Sequence, residues 1–167
     1  MTTAVSHAPI ALGHQERLLR YVDRLPRIPD LMESGPPEEF RVELDQMCDF
    51  MTELLVPHME AAERALFPEL ERILQNRHST LPLRHEHDQI RSSIGDLVRL
   101  RGVADRGQLS MNEKVALRRI VFRTYALLKI HMAEEMLYAE LVEHGASPDA
   151  EQALAAAMEH SGTGRFE

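Results

Sequence analysis

The chain predicts an all-α protein, an antiparallel up-down four-helix bundle with a short extra helix at its C-terminal end. Three observations predict it. Long segments rich in Leu, Ala, Glu, Arg and Met, all good helix formers, alternate with short breaks containing Pro or Gly. Within each segment, apolar residues recur at alternating spacings of three and four, which lines one face of a helix. No run shows the period-two alternation of a half-buried strand bounded by turns.

The elements follow in order. The first helix spans 7–25, with Ala11, Leu18 and Leu25 on its apolar stripe. Pro26, Pro29 and Gly35-Pro36-Pro37 break the chain after it. Pro37 suits the first turn of a second helix at 37–75, where a missing N–H leaves nothing unpaired. Phe40, Leu44, Met47, Met51 and Leu54 form its stripe, and Pro57 is expected to bend it by removing one backbone bond. The stretch from Asn76 to Pro82 separates it from a third helix at 81–103, striped by Leu83, Ile90, Ile94 and Leu97. After Gly102 to Gly107, Ser110 and Glu113 make a capping box for a fourth helix at 110–144, with Leu117, Ile120 and Leu127 facing in. A short fifth helix follows at 149–160. Residues 1–147 are read as one domain, and 148–167 as a short helix and frayed tail that form no domain of their own.

Composition narrows the function. With 27 Asp and Glu against 19 Lys and Arg, the formal charge is -8, which argues against nucleic-acid and anionic-membrane partners. No apolar run reaches the roughly 18 residues of a membrane helix. Met1 to Ile10 shows no secretory signal, so a cytoplasmic location is expected. Cys48 is the only cysteine, which excludes an internal disulfide framework and a thiolate-cluster metal site; it is read as an inert buried thiol. The nine methionines fall mostly on apolar stripes as core filler. Nine histidines and no tryptophan are the unusual feature, because histidine is the commonest metal ligand and proton carrier.

Four of those histidines lie on buried stripes, one per long helix. His14 sits between Ala11 and Leu18, His58 follows Leu54 at plus four, His87 falls between Leu83 and Ile90, and His131 follows Leu127 at plus four. Glu134 and Glu135 lie three and four residues past His131, within about 60° of its direction, and Tyr138 lies two turns on. A lone inward histidine is more often a hydrogen-bonded core residue than a ligand. Four of them with an inward carboxylate are better explained by a cation, which offsets the cost of burying the charge. Nitrogen and oxygen donors without thiolate favour iron, zinc or manganese, and bundle cores with inward Glu and His hold such metals. Glu134 is read as a solvated or outer group. Tyr138 is balanced between a core tyrosine and a pocket group, as is Tyr21, seven residues past His14. His85 is two residues from His87 and points to the surface; His7 is a weak inward candidate, and His78, His144 and His160 lie in loops or near ends. Ligands must also share one depth. His87 and His131 do so across their loop, but His58 is about 20 residues from the turn before helix three and His87 only about seven, so part of 73–82 must be non-helical or fold back.

These residues resemble a known family. A helix-one His, the stretch His58-Met-Glu-Ala-Ala-Glu-Arg-Ala-Leu-Phe67-Pro68, the stretch Glu86-His87-Asp88 and His131-Met-Ala-Glu-Glu135 look like the hemerythrin-like HHE cation-binding domain over roughly 7–144. The resemblance implies a four-helix bundle around a non-heme iron pair. Its ligands would be a His on helix one, His-x-x-x-Glu on helix two, a His on helix three and His-x-x-x-Glu on helix four, with both glutamates bridging the metals. Carried across, these are His14, His58, His87, His131 and Glu135. The helix-two bridging glutamate falls on Ala62, however, and Glu63 is swung about 140° from His58 without local distortion. Water or an exogenous anion in the gap, a residue such as Tyr138 reaching in, or a single iron or zinc all remain open. A site short of one anion also admits a small anion or oxidant.

Two functional classes follow, with a third as the bland alternative. One is a protein, enzymatic or not, that meets O2, peroxide or nitric oxide at a buried non-heme iron centre. The other is a carrier, sensor or metal store without turnover, with no output domain or cysteine-bearing N-terminal repair segment expected in this chain. The bland alternative is a bundle with a degenerate, empty site. The protein partner is left unknown.

Overall fold

A computed structural model describes residues 8–145 together with 152, 156 and 157, and for 8–14 and 143 describes the backbone alone. In chain order the helices are α1 (Ala8–Val22), α2 (Arg27–Ser34), α3 (Pro37–Phe50), α4 (Val56–Ala61), α5 (Phe67–Ile73), α6 (Leu81–Asp105) and α7 (Met111–Gly145). No strand occurs among the described residues. The helix expected at 149–160 falls mostly outside them, as do His7 and His160.

The first departure from expectation is α2. The first helix ends at Val22 rather than 25, and the proline-rich stretch that follows, expected as a break, is itself helical. Prolines within a first helical turn lose no backbone bond, and Leu25, Ile28 and Pro29 gain burial there. The corner is clamped from the side: Arg24 donates through Nε and Nη2 to both carboxylate oxygens of buried Glu43 on α3, at 3.0 and 2.9 Å.

The second departure lies in the expected helix 37–75, which runs as α3, α4 and α5 through two π turns, Met51–Leu55 and Ala62–Leu66. Each π turn ends just before a proline-led turn: the Val56 amide reaches back to Met51 O ahead of Pro57, and the Phe67 amide to Ala62 O ahead of Pro68. A proline cannot donate and its ring crowds the carbonyl four residues back, so widening the preceding turn relieves both problems. Pro57 was expected to bend the helix; Pro68 acts in the same way and was not singled out for it.

α6 and α7 start and stop close to the expected positions. The capping box is formed: the Ser110 amide donates to Glu113 Oε2 at 2.7 Å, and the Glu113 amide donates to Ser110 Oγ at 3.4 Å. α6 packs on α7 and α3, α1 and α5 pack on α7, and α2 bridges α3 and α7.

Two apolar clusters result. The larger includes Leu18, Leu44, Phe50, Met51, Ile94 and Leu128; the smaller consists of Ala62, Leu66, Phe67, Leu70, Leu83 and Val142. Along each long helix the sequence passes from one cluster to the other through a histidine. His58 lies between Met51 and Leu66, His87 between Leu83 and Ile90, and His131 between Leu128 and Val142. The polar residues thus occupy a layer between two greasy ones.

Candidate metal centre

His58, His87, His131 and Glu135 have no solvent exposure at all. His58 is brought in by α4, set by the π turn before it. His87 sits two turns into α6, and His131 and Glu135 stack one turn apart on α7. The depth problem between His58 and His87 is resolved by the connection 74–80. There the Asn76 amide bonds back to Glu71 O at 3.1 Å, and Thr80 and Arg84 both bond the Glu71 carboxylate. The chain folds back along α5, so His87 comes level with Phe67 and Glu63 rather than with the turn of His58. Its ring stacks on Phe67 with centroids 5.2 Å apart, and its Nδ1–H donates to Glu63 Oε1 at 2.7 Å.

The four groups meet directly. His87 Nε2 and His131 Nε2 are 3.0 Å apart, and the His58 Nε2–H donates to Glu135 Oε2 at 2.9 Å. On its far side, the His131 Nδ1–H donates to Glu86 Oε2 at 2.9 Å. Both Nδ1 protons are therefore committed to carboxylates, which fixes each ring with the Nε2 lone pair pointing inward. Two lone pairs aimed at each other across 3.0 Å repel unless a proton or a cation shares them. Burial and the neighbouring His131 charge push His87 down to about 4, so near neutrality it carries the Nδ1 proton alone and none on Nε2.

Glu135 gives the complementary signal. Burial alone would raise its pKa, but His58 first and then His131 and His87 outweigh it and hold the carboxyl at about 2. Its Oε2 accepts from His58, while its Oε1 has no hydrogen-bond partner among the described residues. A buried, ionised oxygen without a partner is costly, and a cation would satisfy it.

The inward Nε2 atoms of His87 and His131, 3.0 Å apart, are the kind of neutral nitrogen pair that one cation could take. The carboxylates behind both rings are the partners that metal-ligating histidines use. The donors are nevertheless drawn close, His58 onto Glu135 by a hydrogen bond, and among the described residues no three His, Cys, Asp or Glu groups stand open around one point as a ready cage. Residues and chemistry fit a cation; its entry would displace the His58 proton and part the two imidazoles.

The remaining sequence candidates separate clearly. His14 is carried on α1, but its side chain lies outside the described residues. Glu63 sits in the second π turn, the local distortion its spacing required, yet it turns to the outer nitrogen of His87 and not to the His58–Glu135 pair. Burial works against its charge, but hydrogen bonds from His87 and from Arg91, at 2.7 Å, win and hold the carboxyl below its usual range. Glu134 is half-buried; burial and the adjacent Glu86 raise its pKa. Tyr138 packs half-buried against the smaller cluster beside Ala62, and Tyr21 stacks on Phe50 in the larger one at 4.8 Å. His85, His78 and His144 are exposed. Cys48 is buried, and burial pushes its thiol up to about 11.

Sequence reasoning missed two residues. Glu86 was quoted only as part of a motif, and Arg91, four past His87, was not considered. Their signal was spacing: Glu86 faces the neighbouring helix beside His87, and Arg91 lies on the same face as His87 one turn on.

A family model described as the hemerythrin HHE cation binding domain matches residues 12–135. Neither a curated protein nor a solved structure matches the chain.

Proposed function

Since the chain belongs to the hemerythrin HHE cation-binding domain family, we propose that it holds non-heme iron in the layer between its two apolar clusters and meets O2, peroxide or nitric oxide there. The observation that carries this reading is the pair of inward Nε2 atoms 3.0 Å apart beside the unpartnered Glu135 Oε1. His14, His58, His87, His131 and Glu135 would be the ligands, in an antiparallel four-helix bundle spanning 1–147 as one domain. Bound iron would supply redox and Lewis-acid chemistry toward a small oxidant. The chain's own residues do the rest. Glu63 and Glu86 hold the imidazole tautomers, Arg91 keeps Glu63 ionised, and Phe67 with the smaller cluster excludes water.

A di-iron centre of altered coordination is the favoured form. The alternative is a mononuclear iron or zinc module that carries or senses its ligand without turnover. One observation favours the alternative: Ala62 is fully buried against Leu66, Phe67 and Leu70, so the position where the family places a bridging carboxylate is packed with methyl groups. No described helix is long and apolar enough to cross a membrane.

Elemental analysis of the chain purified without added metal tests the proposal, read with an absorption spectrum and a melting curve. One or two irons per chain are expected, with a rise in melting temperature on adding ferrous iron. No metal, and no shift with iron or zinc, would end the reading. Peroxide loss on mixing would mark an enzyme; a reversible spectral change without loss would mark a carrier.

A further inference from the structure

The outer face of α7 carries an apolar stripe that no described element covers. Val115, Phe122, Ile130, Leu137 and Leu141 are all exposed, Leu137 to 65% and Ile130 to 56%. With Met111, Ala126 and Ala133, which are also exposed, they fall within about 60° of one line along the helix, opposite the face of His131 and Glu135. From Met111 to Leu141 the stripe is about 45 Å long, far more than the scattered apolar residues of an ordinary surface.

Six exposed positions on this face are also spaced symmetrically: Arg119, Phe122, Ala126, then Ala133, Leu137, Glu140, separated by three, four, seven, four and three residues, while Ile130 lies at their centre and Met111, Val115 and Leu141 fall outside the set. Each half runs from a charged end through a large apolar residue to an alanine, Phe122 in one half and Leu137 in the other, and the end charges are opposite, positive at exposed Arg119 and negative at exposed Glu140. Such a helix complements an inverted copy of itself. Turned end for end about a point between Lys129 and Ile130, it sets Arg119 against Glu140 of the partner subunit. The same operation sets Phe122 against Leu137 of the partner subunit and Ala126 against Ala133 of the partner subunit. The two alanine pairs flank the centre, where small side chains let helix backbones approach closely. A parallel pairing would instead put like charges together.

We propose that the outer face of α7 is the interface of a two-fold symmetric homodimer in which two α7 helices pack antiparallel. A C2 interface is self-complementary, as these six positions are. The apolar strip supplies the burial, and the end charges set direction and register. The metal layer lies on the opposite face of α7, so dimerisation is independent of the metal reading.

Sedimentation velocity of the full chain tests this, alone and as Leu137→Glu, Arg119→Glu and the double variant Arg119→Glu/Glu140→Arg. The wild type is expected to be a dimer. Leu137→Glu should be monomeric with unchanged helical circular dichroism, and Arg119→Glu should weaken the dimer about tenfold by setting two acids together at both ends. The double variant should return to the wild-type constant, since it reverses the end charges without changing their complementarity. A wild-type monomer at concentrations on the order of 100 µM would overturn the proposal, the stripe then serving the chain's own residues beyond 145 or another protein. A dimer indifferent to all three changes would overturn it equally, by placing the contact on another face.

Discussion

His87 Nε2 and His131 Nε2 face each other across 3.0 Å while carboxylates hold both outer nitrogens, Glu63 behind one ring and Glu86 behind the other. The arrangement is symmetric in chemistry and unbalanced in charge. Burial keeps the His87 ring neutral against the pull of Glu63 and Glu135, both inner nitrogens point at each other, and nothing among the described protein groups fills the space between them with positive charge. The expected outcomes below follow from that imbalance.

His131→Ala removes one of the facing nitrogens. Iron bound per chain should fall by at least half, and the melting-temperature gain on adding iron should shrink with it, because binding only to the folded state stabilises by about 2.7 kcal/mol at a hundredfold excess over Kd. Metal analysis and thermal melts of the same preparations check this; wild-type loading in the variant would remove the residue from the site.

Glu63→Gln leaves the fold and the inner donors in place but weakens the acceptor behind His87. Metal affinity should drop about tenfold to a hundredfold, the range for the outer partner of a ligating histidine. Competition with a chromophoric chelator measures it, with exposed Glu60→Gln as the control that should change nothing.

Ala62→Glu restores the carboxylate that the family places one turn past His58. It also inserts an acid among Leu66, Phe67 and Leu70. The metal-free variant should lose about 2 to 4 kcal/mol in denaturant melts, iron should recover most of that loss, and the near-ultraviolet spectrum should shift. A loss that iron leaves untouched would show that residue 62 does not address the metal.

The metal-free protein should lose stability as the pH falls from about 6.5. His87 titrates at about 4 when folded against an ordinary 6.5, so between those values the unfolded chain binds the extra proton and stability falls with pH. The full effect is about 3 kcal/mol, discounted for the exposure that opening permits. Glu135, held at about 2 against its ordinary 4.5, contributes a second stabilisation, fully present above 4.5 and lost as the pH falls toward 2. Urea melts from pH 7.5 to 4 should show the slope, and His87→Gln should flatten its upper part.

Much of this was legible before any coordinates. The inward positions of His58, His87, His131 and Glu135 follow from the 3.6-residue period alone, because each sits on a stripe whose other members are buried. The capping box at Ser110 was equally plain. What periodicity could not deliver was whatever depends on departures from it. α2 was hidden because its prolines read as breaks, although a first turn tolerates them. The aim of Glu63 was hidden because ideal geometry turns it away, and the π turn that redirects it is induced by Pro68, five residues later. Glu86 lies beside the stripe and Arg91 at its partly buried edge, and as charged residues both read from sequence as solvated.

The two widened turns in the segment from Pro37 to Ile73 also set how this stretch can change over time. Each accommodates one residue more than a regular helix would need, and the directions of Glu63, Phe67 and Leu70 are counted from that surplus. Exchanging side chains there alters chemistry locally. Shortening the segment by a single amino acid would instead rotate every downstream position by about 100°, carrying the aromatic lid off His87 and the acid off its nitrogen in one step.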